Sequence, residues 1–161
     1  MKRLGGKAFS LGWLVVLLIL GFGGNAFGNK TPKFAYVTNI ISDNVSAYTI
    51  DSTTGALSPV PGSPFAAGSR PVVVAVDPSG KFAYVANEFS NNVSAYTIDS
   101  TTGALSPVPG SPFDAGVFPF SVTVHPSGKF AYVANGGSNN ISAYTIDSTT
   151  GALSPVPGSP F

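Results

Sequence analysis

The chain has 161 residues, 43% hydrophobic, with 19 glycines, 14 prolines and only 9% charged residues. So many apolar residues with so few charges exclude a disordered chain. A formal net charge of +1 without a basic patch argues against nucleic acid as a partner, and the absence of cysteine excludes disulfides, thiolate metal sites and cysteine lipidation.

Residues 1–28 read as a secretory leader. Lys2, Arg3 and Lys7 form a basic start, Leu11 to Phe22 an apolar run, and Ala26 and Gly28 place small residues three and one before a cut after Gly28. The apolar run is shorter than the roughly 20 residues a spanning helix needs, so cleavage is expected rather than anchoring. Contact with a membrane is expected only through an uncleaved leader. The remaining chain carries five Lys and Arg against seven Asp and Glu, a net charge of −2.

Beyond the leader the chain repeats itself. Lys81 to Phe113 recurs at Lys33 to Phe65 with 29 of 33 positions identical, and at Lys129 to Phe161 with 30 of 33. The starts are 48 residues apart, and the spacers Ala66 to Gly80 and Asp114 to Gly128 share 8 of 15 positions. A period of this size belongs with propeller blades, and it divides the chain into 29–65, 66–113 and 114–161.

Within one repeat four strands are expected. Pro71 to Val76 is a continuous apolar run, suited to a strand covered on both faces. Asp77-Pro78-Ser79-Gly80 is a turn, followed by a strand from Lys81 to Asn87 and a polar connection to a third strand from Asn92 to Ile98. Asp99-Ser100-Thr101-Thr102-Gly103 is a second turn, its aspartate bonding backbone N–H groups. The fourth element, Ala104 to Val108, contains Pro107, and proline confines a strand to an edge. An apolar strand inside and a proline-marked strand outside make an all-β partial propeller of three four-stranded antiparallel blades. The first blade lacks an inner strand on this reading, leaving eleven strands in all.

The runs FAYVTN at Phe34 to Asn39 and FAYVAN at Phe82 and Phe130 resemble the YVTN-type propeller repeat. Together with the (D/H)PSGK, NVSAYTID and TGALSPVPGSPF runs they resemble the bacterial lactonase-type seven-bladed propeller family. The resemblance implies a propeller fold and raises lactone ring opening as an activity. It also draws attention to His125, Glu88 and Arg70, since His, Glu and Arg serve in related propellers.

Topology separates those three. Connections before the first strand and after the second share one rim, and the turn between them lies on the other, so Arg70 and Glu88 are expected apart from His125. His125 occupies the slot of Asp77 and reads as a turn residue. Arg70 and Glu88 read as a half-exposed ion pair. Asp51, Asp99 and Asp147 sit one per blade and read as turn caps, with no acid neighbour for a metal. Tyr48, Tyr96 and Tyr144 read as blade-packing aromatics, and the Asn-x-Ser triplets at Asn44, Asn92 and Asn140 as the starts of strands.

Copies differ mainly at Ile40-Ile41, Glu88-Phe89 and Gly136-Gly137, and at Ala66 to Arg70 against Asp114 to Phe118. All belong to one rim, so Arg70, Glu88, Phe89 and Phe118 are the candidate ligand contacts. No catalytic set, metal or cofactor is expected. The sequence points to an exported, non-catalytic propeller module for binding or assembly, secreted or periplasmic. A lactonase-like hydrolase, a remnant of one, or a structural cell-surface protein are the alternatives. Expected partners are a second copy or another propeller-type chain, and an extracytoplasmic protein or carbohydrate.

Overall fold

The computed structural model describes residues 33–161 and the backbone of Val16–Leu17. It contains three antiparallel sheets. The first holds β1 (Val16–Leu17), β2 (Phe34–Asn39), β3 (Asn44–Ile50), β4 (Leu57–Pro59) and β5 (Phe65–Ala66). The second holds β6 (Pro71–Val76), β7 (Phe82–Asn87), β8 (Asn92–Ile98), β9 (Leu105–Pro107) and β10 (Phe113–Asp114). The third holds β11 (Pro119–Val124), β12 (Phe130–Asn135), β13 (Asn140–Ile146) and β14 (Leu153–Pro155). No helix long and apolar enough to cross a membrane occurs among the described residues. The cleavage point after Gly28 lies outside them.

The expected inner strand Pro71–Val76 and third strand Asn92–Ile98 form as the sequence pattern dictates. The second strand starts one residue later than expected, because the Lys81 amide is turned onto the Asp77 carboxylate at 2.8 Å. The fourth is shorter, Leu105–Pro107, and pairs only with β8, so proline does mark an edge.

The described strands number fourteen, not eleven, and the outer edge accounts for two of the additions. After the proline loop the chain returns to the same edge: Phe65 and Ala66 pair with Val45 and Asn44, and Phe113 and Asp114 with Val93 and Asn92. Phe161 exchanges both backbone hydrogen bonds with Ile141 in the same place. The third addition is β1. Val16 and Leu17 lie opposite Val37 and Tyr36, the register that Val74 and Ala75 adopt against Val85 and Tyr84. The first sheet, expected to lack its inner strand, thus has a two-residue one.

Each blade is fastened internally by one asparagine. The Asn87 amide donates to Asn92 Oδ1 and Ser94 Oγ, both at 2.8 Å, and Asn39 and Asn135 do the same with Asn44/Ser46 and Asn140/Ser142. The Asn-x-Ser triplets therefore supply acceptors that satisfy a buried amide, which is why Asn87 can be fully enclosed.

Between blades lie two cores of matching composition. Phe34, Tyr36 and Val45 of the first blade pack on Val74, Val85, Tyr96 and Leu105 of the second. Phe82, Tyr84 and Val93 of the second pack on Val122, Val133, Tyr144 and Leu153 of the third. Phenol groups stitch the seams: Tyr36 donates to Gly103 O (2.9 Å) and Tyr84 to Gly151 O (3.0 Å). In the other direction Tyr96 donates to Ala66 O and Tyr144 to Asp114 O. Burial pushes all four phenols above their ordinary pKa. Of the expected packing aromatics, Tyr96 and Tyr144 are buried in the seams, whereas Tyr48 is half-buried on the first blade.

The turn aspartates cap as the sequence suggests. Asp51 Oδ1 accepts from the Thr53 and Thr54 amides at 2.9 and 2.7 Å, and Asp99 and Asp147 repeat the pattern. These bonds favour the charged form and hold all three carboxyls below the ordinary aspartate value, with the amide three residues on (Thr54, Thr102, Thr150) the largest cause. A depressed native pKa gives stability that is present above the unfolded value of 3.8 and lost as pH falls through the lower native value. Thermal midpoints followed by far-UV circular dichroism should therefore hold steady down to about pH 4 and decline modestly below it. Loss centred near neutral pH would contradict the capping role.

Candidate functional site

The rim between the second and third blades gathers the four candidate residues, and backbone geometry explains how. Arg70 and Phe118 precede the inner strands β6 and β11 at φ of 56° and 53°, a left-handed conformation uncommon for such side chains. Each is held there by the preceding blade. Asp43 Oδ1 accepts from the Arg70 amide at 2.7 Å, and Asn91 Oδ1 from the Phe118 amide at 2.9 Å. Asp43 and Asn91 are themselves left-handed, at 54° and 56°, which Asp and Asn tolerate better than most residues. These latches were not among the residues picked from the sequence. The signal was present in the unbroken Asp/Asn identity of positions 43, 91 and 139.

So placed, Arg70 Nε meets Glu88 Oε2 at 2.7 Å, and its guanidinium lies 4.8 Å from the centre of the Phe89 ring. Phe89 in turn stands 6.1 Å from Phe118, tilted by 53°. The Arg70 and Glu88 side chains are 43% and 24% exposed, so solvent screens the pair and its contribution to stability is about 0–1 kcal/mol. Phe89, Phe118 and Phe120 are all exposed. In the third repeat glycine stands where the second has Glu88 and Phe89. A Cβ on Gly137 would lie 2.6 Å from Val117 and 2.7 Å from Phe118, so the aromatic rim can fold over that blade only because glycine is there.

His125 lies at the other end of its blade, beyond the six residues of β11 and so about 20 Å from the Phe118 end. Its Nδ1 accepts from the Ser127 amide at 3.1 Å, the position at which Asp77 Oδ2 accepts from Ser79. The structure brings Arg70, Glu88, Phe89 and Phe118 together and leaves His125 as a turn residue. Among the described residues no three His, Cys, Asp or Glu side chains converge as a metal site.

Chemically, the rim offers a neutralised ion pair with spare guanidinium donors beside exposed aromatic faces. Such a surface suits an uncharged ring with hydroxyl groups, or a peptide, better than an isolated anion.

Among solved structures, the chain is similar to a candidate 6-phosphogluconolactonase from Bacteroides fragilis, at 27% identity and a TM-score of 0.72, over 78% of this chain and 35% of that one. A counterpart from Bacteroides uniformis gives 24% identity and 0.72 over 81% and 37%. The periplasmic gluconolactonase of Pseudomonas aeruginosa gives 21% and 0.69 over 80% and 38%. The chain thus spans little more than a third of these proteins. No curated protein sequence matches it. Three repeated blades, their inter-blade seams and a match of residues 27–160 to the family model place this chain in the lactonase, 7-bladed β-propeller family.

Proposed function

We propose that this chain is an exported, lactonase-type propeller module that binds through the Arg70–Glu88–Phe89–Phe118 rim and does not itself open lactones. The observation that carries this reading is the commitment of Arg70: its Nε is bonded to Glu88 and its guanidinium faces Phe89. Ring opening requires a base to activate water and a donor for the developing oxyanion. Glu88 is already engaged by the Arg70 guanidinium, Asp43 is committed to the Arg70 amide, and the sole histidine is on the opposite rim. The ligand class that fits is a carbohydrate or an extracytoplasmic protein segment, stacked on the exposed phenylalanines. Export is supported by the basic start, the apolar run and the small residues before Asn29; a cut there removes β1 with the leader and leaves β2 as the innermost strand of the first blade.

The family and the gluconolactonase among its structural neighbours support the second reading, hydrolysis of a sugar lactone. One preparation separates the two. Protein from the extracytoplasmic fraction is expected to begin at Asn29 by intact mass and to leave gluconolactone opening at the buffer rate. Turnover that disappears in Glu88→Gln or Arg70→Ala would overturn the non-catalytic reading. Full-length protein held in the membrane fraction would overturn export.

A further inference from the structure

The rim at the second blade is open although blades stand on both sides of it. Phe89 there is 57% exposed, and the Arg70 side chain 43%. Phe118, the third blade's equivalent of Arg70, lies 6.1 Å from Phe89 across the seam and is 46% exposed. Arg70 is nevertheless restrained at three points. Its backbone is latched by Asp43, its Nε is bonded to Glu88 Oε2, and its guanidinium stands 4.8 Å from the Phe89 ring centre. Such a guanidinium is a donor fork fixed before any ligand arrives, which lowers the entropy cost of binding.

The fork discriminates among ligands by its hydrogen bonding and its charge. Its Nε bond leaves the two terminal guanidinium nitrogens as donors and Glu88 Oε1 as an adjacent acceptor. Neighbouring hydroxyl groups, each able to donate and to accept, match that pair. Charge counts against an anion: one guanidinium is set among two carboxylates, Glu88 and Asp43, and Lys33, Lys81 and Lys129 precede β2, β7 and β12 at the opposite rim. Stacked nucleic-acid bases would need a cationic groove beside the rings, and this rim has none among the described residues. A protein segment that covered both phenylalanines would strip water from the ion pair, a cost that only close pairing offsets. A sugar brings hydroxyls to replace that water and C–H faces to lie on the rings.

With the rim as the binding face, a reading on which this step rests, the geometry points to a neutral saccharide as the ligand. The C–H face of one sugar ring lies on Phe89, and Phe118, tilted by 53° from it, closes against the sugar's edge. Two neighbouring ring hydroxyls meet the terminal nitrogens of Arg70 and Glu88 Oε1. Binding is non-covalent and leaves the sugar unchanged. The two carboxylates disfavour phosphorylated and acidic sugars.

The test titrates the full chain by isothermal calorimetry with three neutral tetrasaccharides, built on glucose, galactose and mannose. At least one is expected to bind. Its per-O-methylated form, which keeps the rings but loses the hydroxyl donors, should bind about tenfold more weakly or worse, and so should the acidic tetragalacturonate. Arg70→Lys keeps the charge but loses the fork, and Phe89→Ala removes the stacking face; each should weaken binding about tenfold. No binding of any neutral probe, or equal binding of the methylated or acidic one, would overturn the saccharide assignment. A displayed random peptide that binds instead, and is lost in Phe89→Ala, would then keep the rim reading alone. Saccharide binding unchanged in both variants would overturn the rim reading and this ligand geometry together.

Discussion

Gly103→Ala is expected to part the first blade from the second. An alanine Cβ there would lie 2.4 Å from the Phe34 ring, in a seam where both rings and backbone are already in contact. The backbone at Gly103 has φ of +79°, where a Cβ costs about 1 kcal/mol on its own. Overpacking adds about 1–3 kcal/mol, and the Tyr36 hydroxyl loses its carbonyl if the turn shifts to relieve the clash. The sum, about 2–4 kcal/mol, is a large share of the about 5–15 kcal/mol that holds a typical domain. Urea unfolding followed by tyrosine fluorescence should show the midpoint falling accordingly. Gly110→Ala supplies the comparison: its φ of +86° carries the same backbone cost, but the nearest atom to the new Cβ is 3.5 Å away. Equal losses in the two variants would mean that the seam is softer than the packing indicates.

Asp77→Ala should have a comparable effect by a different route. The buried Asp77 carboxylate accepts from Ser79 N at 3.0 Å, Ser79 Oγ at 2.5 Å, and the Lys81 and Phe82 amides at 2.8 Å each. Removing it strands the Phe82 amide inside the blade, at about 1–3 kcal/mol for one unsatisfied buried group, with the lost charge-assisted bonds in addition. An overall loss of about 2–4 kcal/mol is expected in thermal unfolding. His125 fills the same slot exposed, hydrogen-bonded only to Ser127 and edge-on to the Phe130 ring at 6.3 Å, so His125→Ala should cost about 1 kcal/mol or less. A His125→Ala loss as large as that of Asp77→Ala would show that the imidazole holds its turn as the carboxylate does.

How far these features could be read beforehand depended on whether a residue's role is local. Pro71–Val76 and Asn92–Ile98 were legible because apolar runs and turn residues bound them directly. The Asp51, Asp99 and Asp147 caps were legible for the same reason, as contacts two or three residues away. The strands Phe65–Ala66 and Phe113–Asp114 were not: two residues carry no period, and they form by returning to an edge across a proline loop. At the rim, topology alone separated His125 from Arg70 and Glu88. The stacking of Arg70 on Phe89, and the approach of Phe89 to Phe118, depend on left-handed backbone at non-glycine residues. Those conformations are imposed from 27 residues upstream by Asp43 and Asn91, and no window along the sequence contains both partners.

That dependence has a thermodynamic consequence. Because Asp43 sets the backbone of Arg70 and Asn91 that of Phe118, the shape of each rim residue exists only while its blade is seated against the one before. A molecule that recognises the rim in this conformation must therefore bind docked blades more tightly than parted ones. Linkage makes the relation reciprocal, and a ligand at a hundredfold excess over its dissociation constant would add about 2.7 kcal/mol to the seam. Occupancy of the rim and cohesion of the propeller become two readings of a single equilibrium.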